Sequence, residues 1–254
     1  MKSRFFCING LLPALSTFFI LSSCITPTND EVLPDTGKPQ KGVVSGRALD
    51  PNGKPLANAD ITVNHTQFHN HNILGKTDAN GRYNLSVTAG SWYVRGTVNV
   101  RFDNKTYTLD LFPETLGAFA GTEGAVRNLR WKLSGEKPRE FGMSGYYGGS
   151  LDVYGSIGEF FDTDNVEFTL EPVGPLIDGS TGKTLKVKAD ALSAKDIPLG
   201  RYAITARYLP DNQQMVLRKR NANQTYQSVV TTSFDPAYAG AAGSYQLALE
   251  VKIP

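Results

Sequence analysis

Two hydrophobic rhythms run along the chain. From Phe5 to Leu21 most residues are apolar and form one block, with a break at Asn9-Gly10. After Gly42 they fall on every second position instead. Trp92, Val94, Val98, Val100 and Phe102 share one phase, with Tyr93, Arg95, Thr97, Asn99 and Arg101 on the other. Leu129, Trp131 and Leu133 alternate with polar residues, as do Val166, Phe168 and Leu170. At the end Tyr245, Leu247, Leu249, Val251 and Ile253 occupy every second place. A period of two predicts strands with one buried and one wet face. No helical stripe follows the first block.

Clusters of Gly, Pro, Asn and Asp separate these strands. Asp50-Pro51-Asn52-Gly53 and Asp78-Ala79-Asn80-Gly81 have the composition of tight turns. Short alternating strands between such turns predict an all-β chain of β-sandwiches. The polar, breaker-rich stretch Ser134-Gly135-Glu136-Lys137-Pro138 divides the body. A first sandwich is expected over residues 42–133, a hinge over 134–149 and a second β-rich domain over 150–254. The second contains Gly200-Arg201-Tyr202-Ala203-Ile204, an echo of Gly90-Ser91-Trp92-Tyr93-Val94. Gly-x-aromatic-x-aliphatic in both suggests a sandwich of related kind.

The early apolar block follows Lys2 and Arg4, so it has the shape of an export signal rather than a spanning helix. It ends in Leu21-Ser22-Ser23-Cys24, which resembles the lipobox of bacterial lipoproteins. The resemblance implies a signal peptide over 1–23, cleavage before Cys24, and lipid on that residue. The alternative is a plainly secreted chain with a chance Cys. Cys7 leaves with the signal, so the mature chain has one thiol and no possible disulfide. Residues 24–41, rich in Pro and polar side chains, read as the lipidated Cys and an extended tether. Ile25 stands where an Asp would mark inner-membrane retention, so an outer-membrane anchor facing the periplasm or the cell surface is expected. Losing Lys2 and Arg4 turns 26 basic against 24 acidic residues into 24 against 24. A neutral chain gives no electrostatic case for nucleic acid.

The order of signals from Gly42 to Leu133 adds a second resemblance. Gly46, Asp50, Gly53, Pro55 and Ala59, then Thr77 to Tyr83, then Gly90 and Val94 resemble the carboxypeptidase regulatory-like domain, a transthyretin-like sandwich of about seven strands. Trp92 stands where that family has Tyr. These positions mark turns and core and carry no chemistry. In carboxypeptidases the module is an accessory to a zinc domain, for which this chain shows no motif.

Candidate chemistry is sparse. His65, His69 and His71 could share one face of an extended strand and bind zinc or copper. No acid lies within that run, and a polar loop is the plainer reading. Gly179 to Thr184 lacks the first Gly of a phosphate loop and reads as a turn. The acids Asp162, Asp164 and Glu167 do not keep calcium-loop spacing, because Val166 opens a strand. Arg218-Lys219-Arg220 followed by Asn221 to Gln224 reads as a charged hairpin tip, with phosphate binding as its sharper version. Tyr146 and Tyr147, flanked by Gly145 and Gly148, could stack on sugars or anchor a protein partner, or else fill an interdomain seam. No cofactor is implied. The function expected is a non-enzymatic, membrane-anchored envelope module that binds carbohydrate or protein. The alternative is an envelope-polymer hydrolase with paired acids in the second domain.

Overall fold

The structure is a computed structural model and describes residues 37–254. The expected signal peptide, Cys24 and the tether up to residue 36 lie outside the described residues. Within them the chain is all-β. The first half comprises β1 (Val43–Leu49), β2 (Asp60–His65), β3 (Asn72–Lys76), β4 (Arg82–Ser86), β5 (Ser91–Phe102), β6 (Lys105–Pro113), β7 (Phe119–Ala120), β8 (Ala125–Val126) and β9 (Leu129–Arg130). They join in the order β3-β2-β5-β6-β9-β1-β4, with β7 on β5 and β8 on β1. The second half comprises β10 (Gly149–Gly155), β11 (Val166–Pro172), β12 (Leu185–Lys188), β13 (Ser193–Ile197), β14 (Arg201–Tyr208), β15 (Gln213–Lys219), β16 (Val230–Ser233), β17 (Asp235–Pro236) and β18 (Tyr245–Lys252).

The second sheet runs β12-β11-β14-β15-β18-β10-β13, with β16 on β14. Every strand on this seven-strand path is the counterpart of the one nine places earlier in the first sheet. In each half the first strand in chain order pairs in parallel with the last, β1 with β9 and β10 with β18. One topology is therefore built twice. The Gly-aromatic echo marks equivalent points, the starts of β5 and β14. There the Trp92 indole N–H donates to the carbonyl of Thr88 at 3.0 Å, and the Tyr202 hydroxyl donates to that of Pro198 at 2.8 Å. Each ring is fully buried and reaches back four residues to fasten the turn that precedes its strand.

The alternating phases close the cores. Val44, Ile61, Val63, Trp92, Val94 and Leu129 fill the first, and Leu151, Phe168, Leu170, Ile204, Leu217 and Leu249 the second. In the first sheet the path curls until its ends meet. A side chain on Gly75 of β3 would lie 2.4 Å from a methyl of Leu85 on β4. The turns use the chemistry expected of them. Asp50 accepts from the amides of Asn52 and Lys54, and Asp78 from those of Asn80 and Arg82.

The β5–β6 hairpin is longer than its counterpart β14–β15, with strands of 12 and 9 residues against 8 and 7. Its overhang reaches the second sheet. Tyr107 donates its hydroxyl to the Phe234 carbonyl at 2.8 Å, and Lys105 reaches the same carbonyl and the Asp235 carboxylate at 3.0 and 2.7 Å. Tyr245 accepts from the Thr108 amide at 2.6 Å and donates to the Thr108 carbonyl at 2.9 Å. Lys137, buried, places its ammonium 2.7 Å from Asp110 and 2.8 Å from the Gly243 carbonyl. Gly243 sits at φ +68, and a Cβ there would lie 2.0 Å from Asp110.

The expected hinge is tied down at both ends. Asp196, itself at φ +61, accepts from the amides of Gly135 and Gly148. Glu136 bridges to Tyr146, and Phe141 stacks on Tyr93 at 4.0 Å. Among the described residues no helix is long and apolar enough to cross a membrane.

Candidate functional site

The sequence-selected residues fall in three different environments. His65 ends β2 and is buried. Its Nδ1 accepts from the amides of Gln67 and Phe68 at 3.1 and 3.3 Å, and its ring meets Trp92 edge-on at 4.8 Å. His71 stacks parallel to it at 5.3 Å, while His69 is exposed. Imidazole lone pairs lie in the ring plane, so two stacked rings do not aim at one ion. Among the described residues no group of three His, Cys, Asp or Glu could hold a metal. His65 caps the loop, and the rings of His65 and His71 cover Trp92.

Tyr147 is buried in the seam, edge-on to Phe112 at 5.4 Å, with the Lys132 ammonium 5.8 Å from its ring. Burial, helped by the charge of Asp110, pushes its hydroxyl up to about 12. A ligand reaches it only if the seam opens. Tyr146 points the other way and is exposed. The pair that looked like one aromatic patch is thus one packing residue and one surface residue. The extended backbone of this short bridge turns adjacent side chains to opposite faces.

The charged tip that began at Arg218 supplies a site instead. β15 and β18 are antiparallel neighbours, with Val216 opposite Lys252 and Arg218 opposite Glu250. Inward phases carry Met215, Leu217, Leu249 and Val251, so Val216, Arg218, Glu250 and Lys252 stand on the outer face. After β15 the chain turns through Asn221 at φ +58 and comes back beside the strand. Leu217 and Gln227 exchange two backbone hydrogen bonds, at 2.8 and 2.9 Å, which hold the returning segment as a wall. Between floor and wall lies a groove of about 560 Å³ lined by Arg218, Lys252, Asn223, Gln224, Thr225 and Tyr226, with Val216 and Pro254.

Its chemistry is that of a hydrogen-bond donor cradle around one ring. The guanidinium of Arg218 lies 4.5 Å, and the ammonium of Lys252 5.0 Å, from the Tyr226 centroid. Arg218 donates Nε to Glu250 at 2.5 Å and Nη1 to the Gln224 carbonyl at 3.4 Å. The Glu250 hydrogen bond holds Arg218 above its ordinary pKa, so it stays cationic throughout the working range. The Tyr226 hydroxyl is shielded from water beside Arg218 and has no well-formed hydrogen bond. Asn223, Gln224 and Thr225 add two amides and a hydroxyl, which both donate and accept.

The outer face continues past Glu250. Its neighbour on β10 is Tyr154, and the Arg220 guanidinium lies 3.4 Å from that ring's centroid. Two ring–cation pairs thus flank Glu250 on one sheet face. A second depression, about 300 Å³, is lined by Glu167, Thr169, Lys186, Thr205 and Arg207 among others, with no aromatic ring. There Lys186 pairs with Glu167 and Arg207 with Asn212. The groove at Tyr226 is the better-equipped site. Sequence reasoning singled out Arg218 at a charged hairpin tip, but neither Lys252 nor the groove. Tyr226 follows the hairpin tip and Lys252 ends β18, so the ring and the cation are joined only by the fold.

No protein-family model matches the chain, and no curated protein matches it. Several solved structures are similar in part. The Bacillus anthracis TIE protein is 18% identical over 84% of this chain and 34% of its own, with a TM-score of 0.31. This chain therefore spans about a third of that protein's length. The major pilin subunit of Bacillus cereus is 10% identical over 85% of this chain and 100% of its own, with a TM-score of 0.23. A candidate carbohydrate-binding protein of Pseudomonas aeruginosa is 14% identical over 37% of this chain and 90% of its own, also at a TM-score of 0.23.

Proposed function

We propose that the protein is a non-enzymatic binding module, tethered to a membrane through lipid on Cys24, that holds a glycan in the groove of its second sandwich. The observation that carries this reading is the groove itself. It is of the size that takes a small ligand, and it offers amide, hydroxyl and cationic donors around an aromatic ring. Sugars present hydroxyls at their rims, and the amide, hydroxyl and cationic groups of this lining are their hydrogen-bonding complement. Most enzymes that hydrolyse glycosides use two carboxyl groups flanking the bond. Here the groove lining is cationic and neutral, and nearby Glu250 is held by Arg218. That arrangement favours retention of a ligand over cleavage.

Two measurements on the full chain test the reading. A panel of neutral and acidic oligosaccharides should show saturable binding that is lost in Tyr226→Ala, with no new reducing ends after prolonged incubation. Release of reducing ends would make the protein a glycan-cleaving enzyme and overturn the proposal. Cys24→Ser should move the protein out of the membrane fraction and abolish incorporation of an acyl label; labelling that survives the substitution would overturn the anchor.

A further inference from the structure

We infer that the ligand is an acidic glycan, its carboxylates read by Lys252 and Arg220, and that it runs across the outer sheet face from the Tyr226 groove to Tyr154. This rests on the groove being the glycan site and adds the ligand's charge and extent.

Charge is the first ground. Across β15, β18 and the start of the returning loop the face carries Arg218, Arg220 and Lys252 against Glu250. Glu250 is committed to Arg218 through a 2.5 Å hydrogen bond. The described contacts of Lys252 and Arg220 are with rings: Lys252 over Tyr226 and Arg220 over Tyr154. A ring face attracts a cation without neutralising it. Two cations on one face, each set over a ring, therefore remain available to an incoming anion, whereas Lys105 and Lys219 are drawn to Asp235 and Lys137 to Asp110.

Extent is the second. Arg218 and Tyr154 both sit opposite Glu250, on the strands either side of β18. Neighbouring strands lie about 4.8 Å apart, so the backbones of Arg218 and Tyr154 are separated by roughly 10 Å, more than one pyranose spans. Asp152, the acid on this part of β10, is hydrogen-bonded to the Ser193 hydroxyl at 2.8 Å and lies one outward position beyond Tyr154. A track with rings at both ends and cations over them fits a short run of uronate residues.

The experiment uses the full chain and three probes: a hexamer of galacturonic acid, the same hexamer with its carboxyls reduced to alcohols, and inorganic phosphate. Binding is followed by calorimetry at low and at high salt. The acid hexamer should bind at least about tenfold tighter than the reduced one at low salt, and the gap should narrow at high salt. Lys252→Gln and Arg220→Gln should each weaken the acid hexamer about three- to tenfold and the reduced hexamer by less, so that the gap between the two narrows; an equal loss for both hexamers would overturn the reading of carboxylates by these cations. Equal affinity for both hexamers, lost in Tyr226→Ala, would overturn the acidic ligand while keeping the groove as a glycan site. Binding of neither hexamer nor any neutral glycan would overturn the groove reading as well. Phosphate binding that matches the acid hexamer would reduce the site to a simple anion contact and overturn the proposed extent.

Discussion

Replacing Lys137 with Met should lower the melting temperature of the protein by about 4–8 °C. The ammonium is buried, 2.7 Å from Asp110 and 2.8 Å from the Gly243 carbonyl, with the Phe112 ring 5.9 Å away. Met keeps most of the stem and its packing, so the loss is electrostatic. It strips Asp110 of its cation and leaves a seam carbonyl without its donor. A hydrogen bond to a charged group is worth about 1.5–3 kcal/mol. Asp110 is 29% exposed and can recover part of its hydration, so about 2 kcal/mol is the working figure. For a chain of this length each kcal/mol moves the midpoint by about 2–4 °C, which gives the stated range. The partner change sharpens the test. Asp110→Leu in the Lys137→Met background removes the stranded charge and should restore most of the loss, since apolar replacement of a whole buried pair is near neutral. Scanning calorimetry on the wild type and both variants decides it. A midpoint within about 1 °C of wild type for Lys137→Met, or a double variant no better than the single one, would refute the argument that this pair holds the sandwiches together.

Two other outcomes follow from the same geometry. Burial opposes ionisation of Asp235, but hydrogen bonds and charge from Lys105 and Lys219 outweigh it and hold its carboxyl below the usual range. The unfolded chain therefore takes up this proton first as the medium is acidified. The seam's contribution is complete above the ordinary Asp pKa of about 3.9 and fades as pH falls through the lower folded value. Urea midpoints measured from pH 6 to pH 3 should fall more steeply for wild type than for Asp235→Asn; parallel curves would refute it. For the histidines, zinc should leave the melting temperature unchanged, because Nδ1 of His65 is already occupied and His71 is stacked against that ring. A rise on zinc addition that vanishes when His65, His69 and His71 are all replaced by Ala would show that the loop rearranges into a site.

The sheets were legible because each strand reports its own burial. Val94 and Trp92, or Leu249 and Val251, alternate with more polar neighbours wherever the sheet has one wet face. The Gly-aromatic echo even pointed to the repeated topology, since a buried ring tied to a carbonyl four residues back needs the same short pattern in both halves. The seam was illegible for the opposite reason. Asp110, Lys137 and Gly243 are ordinary turn or surface residues locally, and their union depends on the overhang of one hairpin against the far end of another sheet. Likewise Tyr146 and Tyr147 are indistinguishable by composition, and only the path of the bridge decides which is buried. The groove needed Gln227 to pair back onto Leu217 before Tyr226 could meet Lys252, a contact between segments that share no pattern.

The parallel pairing of β10 with β18 bears on how the protein would resist being pulled. The two strands point the same way over six matched positions, from Ser150 opposite Gln246 to Gly155 opposite Val251. Tension that enters at the start of β10 and leaves at the end of β18 drags them along their length in opposite senses. The whole ladder is then sheared at once, whereas a hairpin pulled from its open end would unzip one rung at a time. Lys252, at the rim of the groove, is the last residue of β18. A polymer held there and a chain held from its N-terminal side would load the second sandwich in its strongest direction.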